Sequence, residues 1–390
     1  MLIEVEGGRI KAVTERVPAP AGSVELHGWT IPGLANVHSH AFQHSLRGTT
    51  ESNAGDFWAW RRQMYEAAAM WDPATYTDYS RLVFREMLEA GITAVGEFHY
   101  LHRYGNELGR ALIEAASAVG IRITLLDACY LRGGMDGRPL EGVQQSFSDG
   151  DVERWTRRVD DLKDTEGARI GAAIHSVRAV DPTSMRTVAA WARQRSAPLH
   201  IHLAEQPAEV DECRAELGCT PAQLLAREGI LGTDLTAVHA IHVDDQDIAL
   251  LGQHQVSICG CTSTERDLGD HVGPMRRLVE AGCGLCVGSD SNAVIDILED
   301  ARGLELDQRR ATGQRGIHKP EEILRAATTD GMRALGWEAG ELRAGQLADF
   351  VTITPRYAGN RPVDAGYLMF CCSGRDVTNV VVGGKTVMTR

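Results

Sequence analysis

The sequence predicts an α/β chain built around a (β/α)8 barrel of the TIM type, with a small β-sandwich domain assembled from both chain termini. Three observations carry this reading. Apolar β-type runs alternate with amphipathic helical stretches through the middle of the chain, there are eight such runs, and their polar residues gather at their C-terminal ends. A length of 390 residues leaves room for a barrel of about 250 residues plus an accessory domain.

The eight candidate strands are residues 34–40, 92–100, 122–130, 168–177, 198–205, 235–243, 255–263 and 284–291. Between them, stretches such as YSRLVFREMLEAG (79–91) and NELGRALIEAASAVG (106–120) carry apolar residues at i, i+3, i+4 spacing and end in glycine, as helices covering a sheet do. An open doubly wound sheet fits the same alternation less well, because no Gly-rich phosphate loop follows an early strand. The ends have a different texture. LIEVEGGRIKAV reads as a hairpin about Gly7 and Gly8, and VTNVVVGGKTVM (377–388) as another about Gly383 and Gly384, with LADFVTI (347–353) as a further strand. The expected division is therefore a sandwich from 1–31 and 342–390 around a barrel of 32–341.

Composition narrows the function classes. Hydrophobic content of 43% and charged content of 24% are ordinary for a globular domain. No run of 18 apolar residues occurs, and MLIEVEGGRIKAVTER lacks the basic and apolar regions of a secretory signal, so the expected location is the cytoplasm. Nine cysteines scattered through apolar runs read as reduced, buried thiols, and the Cys283–Cys286 spacing has no second CxxC beside it. A net charge of -13 argues against nucleic acid or an anionic membrane as partner. An anionic substrate would need local cations. The charge run DVERWTRRVDDLKD (151–164) reads as a solvated helix face, and a homodimer is the default assembly.

The placement of polar residues points to chemistry. His38, His40, His99, His175, His202, Glu205, His239 and Asp290 all fall at C-terminal ends of candidate strands, which converge on one rim of a (β/α)8 barrel. His38 and His40, two apart on a strand, share a face and can reach one ion. On the fifth strand His202 lies nearer the end than His200, which reads as structural, and Glu205 follows as a carboxylate within reach of an activated water. Asp290 ends the eighth strand as ligand or water-orienting base, the alternative being a helix cap. The only lysines are Lys11, Lys163, Lys319 and Lys385, none at a barrel strand end, so a bridging carboxylated lysine has no source. Three nitrogens and one carboxylate describe a single borderline-soft ion, Zn2+ first, with Fe2+ or Mn2+ as alternatives.

The distribution of PGLANVHSH, HLAE, VHAIH and GSDS resembles the amidohydrolase superfamily, in the subgroup whose strand-five HxxE marks deaminases. GELRAGQLADFV (340–351) resembles the segment by which such chains return to their sandwich. More narrowly, HSHAFQ (38–43), FWAWRRQMY (57–65), GEFHYLH (96–102), HSVRAV (175–180), HIHLAEQ (200–206) and CTSTERDLGD (261–270) are similar to the formimidoylglutamate deiminase family, and these segments span most of the barrel. The resemblance implies zinc held by His38, His40, His202 and Asp290, with Glu205, His239 and Asp290 as catalytic residues. It implies substrate contacts from Gln43, Arg61, Tyr100, His175 and Arg178, and a small dicarboxylate substrate deiminated in histidine degradation. Arginine suits that substrate, because its planar fork pairs a carboxylate at two points, and Trp58 and Trp60 offer Arg61 a stacking surface. Where the family has Cys-Pro-Thr-Thr-Glu this chain has CTSTE (261–265), HSLRAV becomes HSVRAV, and 131–147 keeps only a Gly-rich outline of the family's loop. The competing readings are another aminohydrolase acting on a neutral ring, a hydrolase of a different amide bond, and a barrel that lost catalysis.

Overall fold

The structure, a computed structural model, describes residues 1–49, 57–355 and 364–390. The side chains of 57–59, Trp58 among them, lie outside the described residues.

The N-terminal strands β1 (Leu2–Glu6) and β2 (Arg9–Thr14) form the antiparallel hairpin about Gly7 and Gly8. After β3 (Trp29–Pro32) the chain enters the barrel, through β4 (Leu34–Ser39), β5 (Ile92–His99), β6 (Arg122–Cys129), β7 (Ala168–Ser176), β8 (Leu199–Leu203), β9 (Leu235–His239), β10 (Ser257–Gly260) and β11 (Gly284–Val287). Each pairs in parallel with the next. Parallel strands covered on both faces bury every position, which is why β4, β5 and β6 are buried throughout and read as continuous apolar runs. A bridge between Ser39 and Asp290 joins the first barrel strand to the segment after the last. His40 N–H donates to Asp290 O and Asp290 N–H to His38 O, both at 2.9 Å. Only glycine fits beside that seam at position 288, where a Cβ would lie 2.7 Å from His38 O.

Helices wrap the sheet with local signals that the sequence carries. α1 (Phe57–Ala68) is followed by α2 (Pro73–Glu89), which starts at a capping box between Asp72 and Thr75 with proline in its first turn. α3 (Glu107–Val119) stops at Gly120, whose φ of 90° is left-handed. α4 (Val152–Asp160) is capped by the Asp151 carboxylate. The C-terminal strands β12 (Phe350–Ile353), β13 (Val377–Val382) and β14 (Lys385–Thr389) form an antiparallel sheet with β3, so a sheet separate from the barrel is built from the two terminal regions. No helix among the described residues is long and apolar enough to cross a membrane.

Four expectations need correction. The seventh strand ends at Gly260, and Thr262–Leu268 is helical. His99 turns away from the rim: its ring packs 5.1 Å from His102, and a Cβ on Gly109 of α3 would touch it, because Phe98 and Tyr100 are the residues of this stretch that meet His40. Arg158 is not solvated but pairs with buried Asp127 at 2.7 Å and with Asp149 at 2.6 Å. Among the cysteines, Cys371 is exposed and Cys219 half-buried.

One buried ion pair ties the sheet from the termini to the barrel floor. Arg122, the first residue of β6, contacts Asp349 through Nε at 2.6 Å and Nη2 at 3.1 Å, and Asp349 also accepts from Gly383 N–H at 2.7 Å. Removing one member leaves an uncompensated buried charge. Asp349→Ala should therefore lower the unfolding free energy by about 3–5 kcal/mol, read by denaturant titration against wild type.

Candidate metal centre and catalytic pocket

His38 and His40 leave β4 on one face, His202 leaves β8, and Asp290 follows β11, so four ligand atoms from three strand ends lie within 4.8 Å of one another. His38 Nε2 is 3.2 Å from the Nε2 of both His40 and His202. Asp290 Oδ1 is 3.4 Å from the Nε2 of His38 and of His40. The tautomers follow from the opposite ring atoms. His40 Nδ1 faces the Phe98 carbonyl and His202 Nδ1 the His175 carbonyl, both at 2.9 Å. A carbonyl only accepts, so each Nδ1 carries the proton and each Nε2 presents a lone pair. Burial holds His38 down to about 3 and also lowers His40 and His202, which keeps the rings neutral. Burial opposes the Asp290 charge, but its hydrogen bond to His38 and the neighbouring imidazoles hold its carboxyl well below the usual range. Converging lone pairs repel unless a cation sits between them. Four of the pairs among these donor atoms stand 3.2–3.4 Å apart and all four atoms lie within 4.8 Å of one another, spacings open to a single ion with metal–ligand bonds of about 2.0–2.1 Å, so the donor set fits a divalent ion.

The seam holds this set in place. Asn36 donates to Ser289 Oγ at 2.7 Å, Ser289 Oγ donates to Asn292 at 2.6 Å, and Asn292 reaches Ser39 Oγ at 3.1 Å and His40 O at 3.0 Å. Glu97 of β5 accepts from Ala41 N–H at 2.7 Å and fixes the turn after His40. Several rim residues that are not glycine take positive φ: Ala204 at 49°, His239 at 71°, Ala240 at 50°, Asp290 at 45° and Asn292 at 59°. Such backbone is strained and persists only where surrounding contacts dictate it.

Glu205 and His239 stand over the donor set. His239 Nε2 is 3.9 Å from Glu205 Oε1 and 3.7 Å from Asp290 Oδ2, and its Nδ1 lies 3.2 Å from Glu265 Oε1. Burial pushes Glu205 up to about 7 against the pull of His239. Burial also opposes charge on His239, but Glu205, Glu265 and Asp290 outweigh it and raise its pKa. The five residues expected at the substrate, Gln43, Arg61, Tyr100, His175 and Arg178, line the same cavity as His40, His202, Glu205, His239 and Asp290. Gln43 donates to the Tyr100 hydroxyl at 3.1 Å, leaving its own buried oxygen without a partner. Arg178 Nε donates to buried Glu209 at 3.3 Å, and its terminal nitrogens make no hydrogen bond among the described residues. His200 instead points to Ala334 O at 3.2 Å, away from the donor set.

Sequence reasoning missed Glu265, Glu209, Asn292, Tyr65 and Tyr130. Glu209 follows the strand of His202 by a few positions on the next helix, and Glu265 follows β10 in the same way, a spacing that is visible but not specific. A second cluster of His99, His102 and Asp127 has ligand-like spacing, but Arg158 grips Asp127 with both terminal nitrogens at 2.7 Å.

The model of the amidohydrolase family matches residues 29–387. The chain belongs to the amidohydrolase family. Among curated relatives, the formimidoylglutamate deiminase of Pseudomonas aeruginosa is 34% identical over 392 residues, spanning 94% of this chain and 86% of that one. The 5'-deoxyadenosine deaminase of Methanoregula boonei is 30% identical over 374 residues, spanning 92% and 79%. The crystal structure of an amidohydrolase from Brucella melitensis superposes with a TM-score of 0.90 at 31% identity, covering 100% of this chain and 92% of that one. As an amidohydrolase, this protein is a metal-binding hydrolase, and its donor set depends on the seam behind it. Asn292→Ala should weaken metal retention by about 10–100-fold, measured by chelator competition, while the fold survives by circular dichroism.

Proposed function

We propose that this amidohydrolase uses one zinc ion per chain to hydrolyse N-formimino-L-glutamate to N-formyl-L-glutamate and ammonia, a step of histidine degradation. The observation that carries this reading is the pair Arg61 and Arg178, two guanidinium groups lining the cavity that also holds the donor set. In a chain of net charge -13 such a pair is a local device for an anionic substrate, and a dicarboxylate uses both. The relative of the same substrate name supports it, at 34% identity.

His38, His40, His202 and Asp290 would hold the ion, which when bound supplies Lewis acidity and a water nucleophile at neutral pH. Asp290 stays ionised, so its outer oxygen takes the proton of the attacking water. Glu205, with a pKa near neutrality, delivers a proton to the imine nitrogen as oxygen adds to carbon. His239, held from behind by Glu265, donates from Nε2 and steadies the developing negative charge. A second proton, passed from Asp290 through Glu205, converts the bound amine to ammonia. The C–N bond breaks and the C=O bond forms as the hydroxyl proton passes to Glu205, which restores that acid for the next cycle, and the glutamate nitrogen keeps its place. Gln43 Oε1, an unfilled acceptor, suits an N–H of the formimino group.

A second reading, hydrolytic deamination of an adenosine-like ring, is favoured by the 5'-deoxyadenosine deaminase relative. It gives Arg61 and Arg178 no anion to bind. The test is ammonia release from formiminoglutamate beside adenosine, 5'-deoxyadenosine, guanine and cytosine, with metal quantified in the same sample. Turnover of formiminoglutamate alone is expected; turnover of a neutral ring without it would replace this proposal by the second. Within the mechanism, Glu205→Gln should cut kcat by about 10²–10⁴-fold with metal content unchanged, as stopped ammonia assays and emission spectrometry would record.

A further inference from the structure

Outside the residues already given roles, one polar unit of the cavity wall has an unusual hydrogen-bond arrangement. Gln144, in the short helical turn Gly142–Phe147 after β6, places its amide nitrogen 3.1 Å from the hydroxyl of Tyr65 on α1 and 3.1 Å from that of Tyr130 just beyond β6. Its oxygen faces Glu141 N–H at 3.4 Å, which fixes which end of the amide meets the phenols. An amide nitrogen only donates, so each phenol oxygen receives a hydrogen and keeps its own proton for another acceptor. Were one phenol to donate to the other, that contact would use one proton. At least one O–H is left for a group in the cavity, since no other acceptor for either hydroxyl lies among the described residues.

The surroundings favour an anion there. Both phenols line the cavity together with Arg61, whose guanidinium sits 5.2 Å above the Tyr65 ring. Burial pushes the Tyr65 phenol up to about 12, so it stays a donor at neutral pH. Phe147 backs the pair, with its ring 5.8 Å from Tyr65 and 5.7 Å from Tyr130. The distance is also suitable. Tyr130 touches His175 at 4.4 Å, and His175 touches the donor-set residue His202 at 5.2 Å, so the phenols stand one ring beyond the reacting end. In an extended N-formiminoglutamate the side-chain carboxyl carbon lies about 6 Å from the formimino carbon, and the α-carboxyl carbon about 4 Å.

Resting on the function proposed above, we infer that Tyr65 and Tyr130, oriented by Gln144, form the subsite for the carboxylate farther from the reacting carbon, and that they select an acid over the corresponding amide. The nearer carboxylate then falls to Arg178.

The test uses the metal-loaded full chain with N-formimino-L-glutamate and N-formimino-L-glutamine as paired probes. Tyr65→Phe and Tyr130→Phe should each raise KM for the acid about 10-fold, leave kcat within about twofold, and leave KM for the amide unchanged. Gln144→Glu, which turns a donor into a charged acceptor beside the phenols, should reverse the preference in favour of the amide; a structural role alone would affect both probes alike. Equal changes for acid and amide, or none, overturn the subsite. Calorimetric binding of glutarate needs no turnover. Glutarate binding that is lost in both phenylalanine variants would uphold the subsite even if formiminoglutamate were not a substrate. Turnover of formiminoglutamate with unaltered acid selectivity in the variants would refute the subsite and leave the function standing.

Discussion

Two backbone hydrogen bonds, His40 N–H to Asp290 O and Asp290 N–H to His38 O, are the constraint on which the rest of this protein depends. They close the cylinder where its first strand meets the segment after its last, and they set three of the four donor atoms at a fixed spacing. The fourth, from His202, arrives across the barrel mouth on β8. Because the closure and the donor set are the same few peptides, the register of the sheet and the geometry of the ion are one variable. Asn36, Ser289 and Asn292 bond side chain to side chain across the seam, and a glycine lets the chains approach, so that register has little freedom to slip.

Charge is then partitioned by environment. Burial keeps three imidazoles neutral, a cluster of imidazoles keeps Asp290 ionised, and burial with weaker compensation leaves Glu205 able to gain and lose a proton near neutrality. Groups of similar chemistry thus take separate roles because each has different neighbours. Glu265 behind His239 and Glu209 behind Arg178 extend the pattern, each a buried carboxylate that orients a cation-forming side chain without entering the centre of the cavity.

What could be read from the sequence was what local periodicity encodes. Strands buried on both faces announce themselves as apolar runs, and a ligand at a strand end interrupts such a run with a single polar residue; His38, His40, His202, His239 and Asp290 stood out for that reason. The same cue misplaced His99, since periodicity shows where a strand ends and not which parity faces inward, and here Phe98 and Tyr100 take the inner face. Arg158 misled in the opposite sense. Its neighbours in the chain are charged, but Asp127, which neutralises it, lies 31 positions away. Asn292 meets Ser39 across 253 positions, and Gln144 meets Tyr65 across 79. Partnerships of that separation leave no mark in a sequence window, so the supporting residues emerged only from the fold.

The buried contact of Arg122 with Asp349 and the pairing of β3 with β12 also have a consequence in time. Thr30 sits opposite Thr352, 322 positions later. At ribosomal speeds of about 5–20 residues per second, β3 emerges some 16–64 seconds before its partner exists, and the Arg122 guanidinium, 227 positions before Asp349, waits about 11–45 seconds for a counter-charge. Until then the floor of the barrel presents a sheet edge and an unpaired cation to the cell. The last strands of the chain, far from any chemistry, are therefore what ends the interval in which the nascent protein is most exposed to wrong partners.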